Sequence, residues 1–145
     1  MTELTSATLE NWLAAYGWRF ESLGEETWRT GFSGEHRYFP LDIKLTPTCV
    51  SFEVKPLVDG HVEPRVSPEL AKCLLEFNSR MQVVKLGLTE DGEVTLSCQV
   101  LAAGFDYDTL TRILGILGYY ADTVAPEILA RTTMAPPGGR PSLLC

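Results

Sequence analysis

The sequence is poor in the residues that carry most chemistry. It has only two histidines, His36 and His61, in 145 residues. They stand apart, no G-x-S-x-G occurs, and a Ser/His/Asp arrangement therefore has no local support. Four cysteines, Cys49, Cys73, Cys98 and Cys145, form no C-x-x-C pair and no Cys/His ligand set, so the common zinc motifs are absent. There is no G-x-x-x-x-G-K-[ST] and no strand-anchored G-x-G-x-x-G, which leaves nucleotide binding without a motif. No apolar run approaches the ~20 residues of a membrane span. The N-terminal run up to Trp18 carries Glu3 and Glu10 and no Lys or Arg, unlike the basic start of a signal peptide. The expectation is a cytoplasmic chain with reduced thiols.

Positive charge is also scarce. Lys and Arg number 12 against 19 Asp and Glu, for a net charge of −7. Binding to nucleic acid depends on neutralising phosphates with Lys and Arg, so no nucleic-acid partner is expected, and no anionic membrane surface either. Acidic clusters do occur, in Gly24–Glu26, Thr89–Glu93 and Asp106–Asp108. None has the twelve-residue spacing of an EF-hand, and turn formation and helix capping explain all three. No metal and no cofactor are expected.

What is present is an ordinary globular composition, 45% hydrophobic and 21% charged, in a length that suits one domain. Leu9, Trp12, Leu13 and Tyr16 recur at helical spacing over Ser6 to Tyr16, with Thr5 as N-cap and Gly17 as terminator. Four short alternating runs follow: Trp18 to Glu21, Thr27 to Phe32, Tyr38 to Leu45 and Cys49 to Pro56. Period-two patterning with one polar side indicates antiparallel strands covered on one face. Pro68 opens a second helix after Ser67, with Leu70, Leu74, Phe77 and Met81 as its stripe and fraying around Asn78. A hairpin joins Val83–Leu88 to Val94–Val100, where Cys98 takes an inward phase. A long helix runs from Asp106 to Val124, limited by Pro126. The order α-β-β-β-β-α-β-β-α indicates an α+β fold, one antiparallel sheet with helices mainly on one face. Residues 1–128 form the domain, and 129–145, rich in Pro and Gly, a flexible tail.

The aromatic residues fall mostly on inward phases. Trp28 and Phe32 lie on a peripheral run, and their second reading is an interaction surface. On the long helix, Leu110, Ile113, Leu114, Leu117, Ala121 and Val124 make one continuous stripe. Gly115 and Gly118 flank it and are read as close-packing positions, although each mid-helix glycine costs about 1 kcal/mol relative to alanine. Ile116 and Tyr119 project away from the stripe and, with Tyr120, are candidates for a dimer or partner surface.

The stretches Tyr38–Leu57, Leu74–Val100 and Gly104–Ile128 resemble the YbjN-type family of bacterial sensory transduction regulators, whose fold is that of type III secretion chaperones. The resemblance implies a small, acidic, cytoplasmic homodimer without catalysis. In secretion chaperones the partner is an unfolded segment of a secreted protein, wrapped around the dimer in extended form, so the resemblance implies a polypeptide client. No residue matches a client-binding signature, and architecture alone is carried over. The alternative is a small-molecule or metal-binding protein, or an enzyme, on the same scaffold. It requires a pocket that joins polar groups from separate segments, such as His36, Asp42 and Glu53.

Overall fold

A threonine and a glycine delimit the first helix, α1, Ser6–Tyr16. The backbone N–H of Thr8 donates to Thr5 Oγ1 at 3.2 Å. Gly17 takes the left-handed conformation, φ 92°, and the N–H groups of Gly17 and Trp18 return to the carbonyls of Ala14 and Leu13. The computed structural model describes residues 3–58 and 68–133 of the chain. Cys145, His61, Ser67 and most of the expected tail lie outside them.

The strands are β1 (Glu21–Gly24), β2 (Thr27–Ser33), β3 (Tyr38–Leu45), β4 (Cys49–Val54), β5 (Lys85–Leu88) and β6 (Val94–Leu101). They form one antiparallel sheet in the order β1-β2-β3-β4-β6-β5. The helices α2 (Pro68–Arg80) and α3 (Tyr107–Thr133) complete the α+β order read from the sequence. Alternation is strict in β3 and β4. Phe39, Leu41, Ile43 and Leu45 of β3, Val50, Phe52 and Val54 of β4, and Val94, Leu96 and Cys98 of β6 are buried on the inner face. Leu9 and Leu13 of α1, Leu70, Leu74 and Phe77 of α2, and the α3 stripe join them in one core. The other face of the sheet carries Asp42, Lys44, Ser51, Glu53 and Gln99, all half-buried or exposed.

The structure corrects several local readings. The first strand begins at Glu21, because Trp18 and Phe20 precede the sheet and pack against the core as loop residues. Its turn is only Glu25-Glu26, both at positive φ (52° and 55°), which matches the twist of a two-residue hairpin. The last helix does not stop at Pro126 but reaches Thr133, so the boundary expected after residue 128 falls inside α3. A proline removes one N–H from the ladder. Against that, Val124, Ala125 and Ile128 extend the buried stripe across the proline. Arg131 then lies over the Phe77 ring at 5.3 Å and within 3.9 Å of Glu127. At its start α3 is capped by Asp106, whose carboxylate accepts from the Thr109 N–H at 2.8 Å and the Thr109 hydroxyl at 2.7 Å. Those bonds hold the Asp106 carboxyl below its usual range. The cap therefore stabilises at neutral pH and is lost as the pH falls through that depressed value.

Candidate partner-binding surfaces

The two aromatic residues of β2 do not face solvent. Trp28 is 1% exposed, and its indole N–H donates to Glu10 Oε2 of α1 at 2.7 Å. Phe32 is half-buried, with its ring centroid 5.7 Å from Trp18 and 5.3 Å from Phe39. Both pair across to inner-face residues, Trp28 to Ile43 and Phe32 to Phe39. The core reading holds for Trp28, and the surface reading does not attach to it.

The long helix differs. Ile116, Tyr119 and Tyr120 do lie together, and Tyr119 is 64% exposed. The Tyr120 hydroxyl accepts from the Gln82 N–H at 3.2 Å, which ties the chain between α2 and β5 to α3. The glycines were expected to permit close packing, and the structure gives neither that role. Among the described residues, a Cβ on Gly115 would meet nothing within 4 Å, and one on Gly118 would touch only the Phe32 ring edge at 4.0 Å. Gly115→Ala is therefore expected to raise stability by about 1 kcal/mol, the difference in helix propensity, with no steric penalty. Urea unfolding checks this, and a lower midpoint would show a hidden contact at that position.

Gly115 instead lines a groove of about 400 Å³. Arg112, Ile116 and Tyr119 of α3 form one side with it, and Gln82 and Val83 the other. Val83 was read as the first residue of a strand, but it lies before β5. The N–H of Val84 donates to the Gln82 carbonyl at 2.8 Å across a Val83 held at φ 73°. This is the positive-φ γ-turn, the rare and strained form, with a β-branched residue at its centre. Strain of this kind is of order 1–3 kcal/mol. The turn leaves Val83 59% exposed. Arg112 Nε donates to Asp108 Oδ2 at 2.8 Å. No sequence signal marks this turn, because a Val-Val pair ahead of an alternating run reads as strand.

The polar residues proposed as an alternative site do not converge. Asp42 and Glu53 are direct cross-strand neighbours on the open sheet face. They belong to a row running from Arg29 through Asp42, Glu53 and Ser97 to Lys85, and Arg29 Nε donates to Asp42 Oδ1 at 3.0 Å. His36 lies elsewhere, at an apolar cleft of about 420 Å³ between the β2–β3 turn and α3, beside Phe39, Asp122 and Leu129. Among the described residues no group of His, Cys, Asp and Glu is placed to hold a metal ion. Cys98 is buried, and desolvation pushes its thiol up, away from the reactive thiolate.

The two edges of the sheet are unlike. At β5 the side chain of Asn78 acts as a strand: its Oδ1 accepts from the Leu86 N–H at 2.7 Å, and its Nδ2 donates to the Leu86 carbonyl at 3.1 Å. Asn78 thus takes up the outward N–H and C=O of Leu86 at that edge, and α2 continues through it to Arg80 where the sequence indicated fraying. At the other edge, all four residues of β1 are exposed. By length and composition alone α3 could cross a membrane, but Leu110, Leu114, Leu117, Ala121 and Ile128 place its apolar side in the core.

Comparison with known proteins bears on these surfaces. Residues 54–139, more than half of the chain, match the family model described as T3SS (YopN, CesT) and YbjN peptide-binding chaperone 1. A search of curated proteins found no significant match. Among solved structures, YbjN from E. coli superposes with a TM-score of 0.66 at 18% identity, covering 89% of this chain and 95% of that one. A chain of the ExsC–ExsE complex gives 0.64 at 20% identity, over 88% and 97%. The Yersinia pestis type III secretion chaperone SycH, solved with a stable fragment of YscM2, gives 0.55 at 15%, over 82% and 98%. At these identities the likeness is one of fold.

Proposed function

We propose that this chain, which belongs to the T3SS and YbjN family of peptide-binding chaperones, holds an extended segment of another polypeptide and catalyses nothing. It works in the cytoplasm as a homodimer. The family match carries the reading, and the unequal edges of the sheet give it a geometry. A segment that adds to a sheet gains main-chain hydrogen bonds and needs an unpaired strand edge. Asn78 occupies the β5 edge, whereas Glu21–Gly24 of β1 is exposed along its length. The client therefore pairs with β1. The separation of His36 from Asp42 and Glu53 takes away the specific support for a catalytic or metal pocket.

The test is hydrogen exchange on the purified chain, alone and with the polypeptide encoded beside it, with the mass followed by light scattering. Protection of the Glu21–Gly24 amides is expected with the polypeptide present, on a particle of twice the 16.1 kDa chain mass before it is added. Protection confined to other strands would overturn the placement at β1. A strict monomer at micromolar concentration would overturn the dimer.

A further inference from the structure

Two locally unfavourable choices meet at one place. Gly115 weakens α3 without any packing reason within the described residues, since the space beside it is open. Val83 holds a branched side chain at positive φ in a strained turn. Both line the groove between the 82–84 turn and α3, and neither is needed by the core. Strain that the fold does not require points toward function. The glycine keeps the groove open, and the turn presents the Val83 isopropyl group to it.

The charge of the groove is as informative as its shape. On a chain with 19 acidic residues, no carboxylate lines it, and Arg112 is its one ionisable cation. Arg112 Nε is bonded to Asp108 and its charge is also felt by the Asp106 carboxylate, while its two terminal nitrogens make no further hydrogen bond among the described residues. A guanidinium so placed offers its remaining fork to a second carboxylate. The groove also lies wholly within residues 54–139, the part that matches the peptide-binding family.

We propose that this groove seats one apolar side chain of the bound polypeptide, with a neighbouring Asp or Glu of that polypeptide on Arg112. The proposal rests on the peptide-binding reading and assigns it an anchor site separate from the β1 edge. A groove of about 400 Å³ suits an anchor side chain. The broad face that two copies need for stable association, about 800 Å² from each, is far larger.

The test is amide chemical-shift mapping of the full chain with three short glycine–serine peptides carrying Phe-Asp, Phe-Lys or Ser-Asp at the centre. Phe-Asp is expected to shift Gln82, Val84, Gly115 and Tyr119. Ser-Asp and Phe-Lys should each bind more weakly, Ser-Asp by at least about tenfold for the lost apolar side chain. Gly115→Leu, which fills the groove with a good helix former, should lose the shifts. Val83→Gly relieves the turn, so it should fold at least as stably and still bind less tightly. Undiminished binding by both variants would overturn the proposal, and equal binding of Phe-Asp and Phe-Lys would remove Arg112 from it. Shifts confined to β1 or elsewhere would leave peptide binding standing and overturn the groove. If no peptide shifts any amide, both readings fall. Concentration-dependent shifts at these same amides without peptide would assign the groove to a second copy and overturn the proposal.

Discussion

Trp28→Ala is expected to destabilise the fold by about 3–5 kcal/mol, the range for deleting a large buried aromatic. Trp28 is among the largest side chains that are fully buried, and it sits opposite Ile43 on the inner face. Truncation removes its packing and leaves a cavity where α1 meets the sheet, because the helix is tied to this residue through Glu10. It also frees the half-buried Glu10 carboxylate from its donor at 2.7 Å. Against a typical total of about 5–15 kcal/mol, such a loss takes up a large part of the stability. Trp28→Phe separates the two effects, since it keeps most of the packing and loses the hydrogen bond, for about 0.5–1.5 kcal/mol. Urea unfolding of both variants is the measurement. If Trp28→Ala unfolds at the wild-type midpoint, the indole is not a core group, and the surface reading of β2 returns.

Trp28 also shows where the sequence stopped being informative. Alternation states that Trp28, Thr30 and Phe32 share a side, but not which side is covered. That depends on α1, whose Leu9 and Leu13 are far from β2 in sequence and fully buried in the same core. The strand order depends on pairings between distant segments, such as β4 with β6, which no local pattern states. Period-two runs did mark the inner residues of β3 and β4. Helix ends were legible where a cap is local, as at Thr5 and Gly17, and misread where tertiary packing overrode the local signal, as at Pro126. The groove beside α3 was half visible. Ile116 and Tyr119 stood out as surplus to the α3 stripe, but their counterpart, Val83, lies on a turn whose sequence favours a strand.

Asn78 was the hardest residue to read, because an asparagine near a helix end is an ordinary sign of fraying. Its amide presents one acceptor and one donor in the spacing of a peptide group, and both meet the backbone of Leu86, itself a buried residue. Asn78→Ala leaves that N–H and that carbonyl unpaired at a part-buried site. At about 1–3 kcal/mol for each unsatisfied group, the expected loss is about 2–4 kcal/mol, allowing for partial rescue by water. Asn78→Asp separates the donor from the acceptor. The carboxylate still accepts from the Leu86 N–H but faces the Leu86 carbonyl without a proton to donate. Only the protonated acid restores both bonds, so its folded pKa rises above the usual ~3.9. The sign follows: the Asp variant's stability relative to alanine is greatest below the unfolded value and falls as the pH rises through the raised one. Unfolding at pH 7 and near pH 4 measures this, and a flat profile would show that the donor half contributes nothing. The same substitutions open a second strand edge. If Asn78 is what directs pairing to β1, Asn78→Ala must also acquire concentration-dependent association at β5, visible as hydrogen-exchange protection of Lys85–Leu88 in the larger species. An alanine variant that loses stability but stays unassociated, with β5 unprotected, would show that Asn78 supports α2 and does not choose the edge.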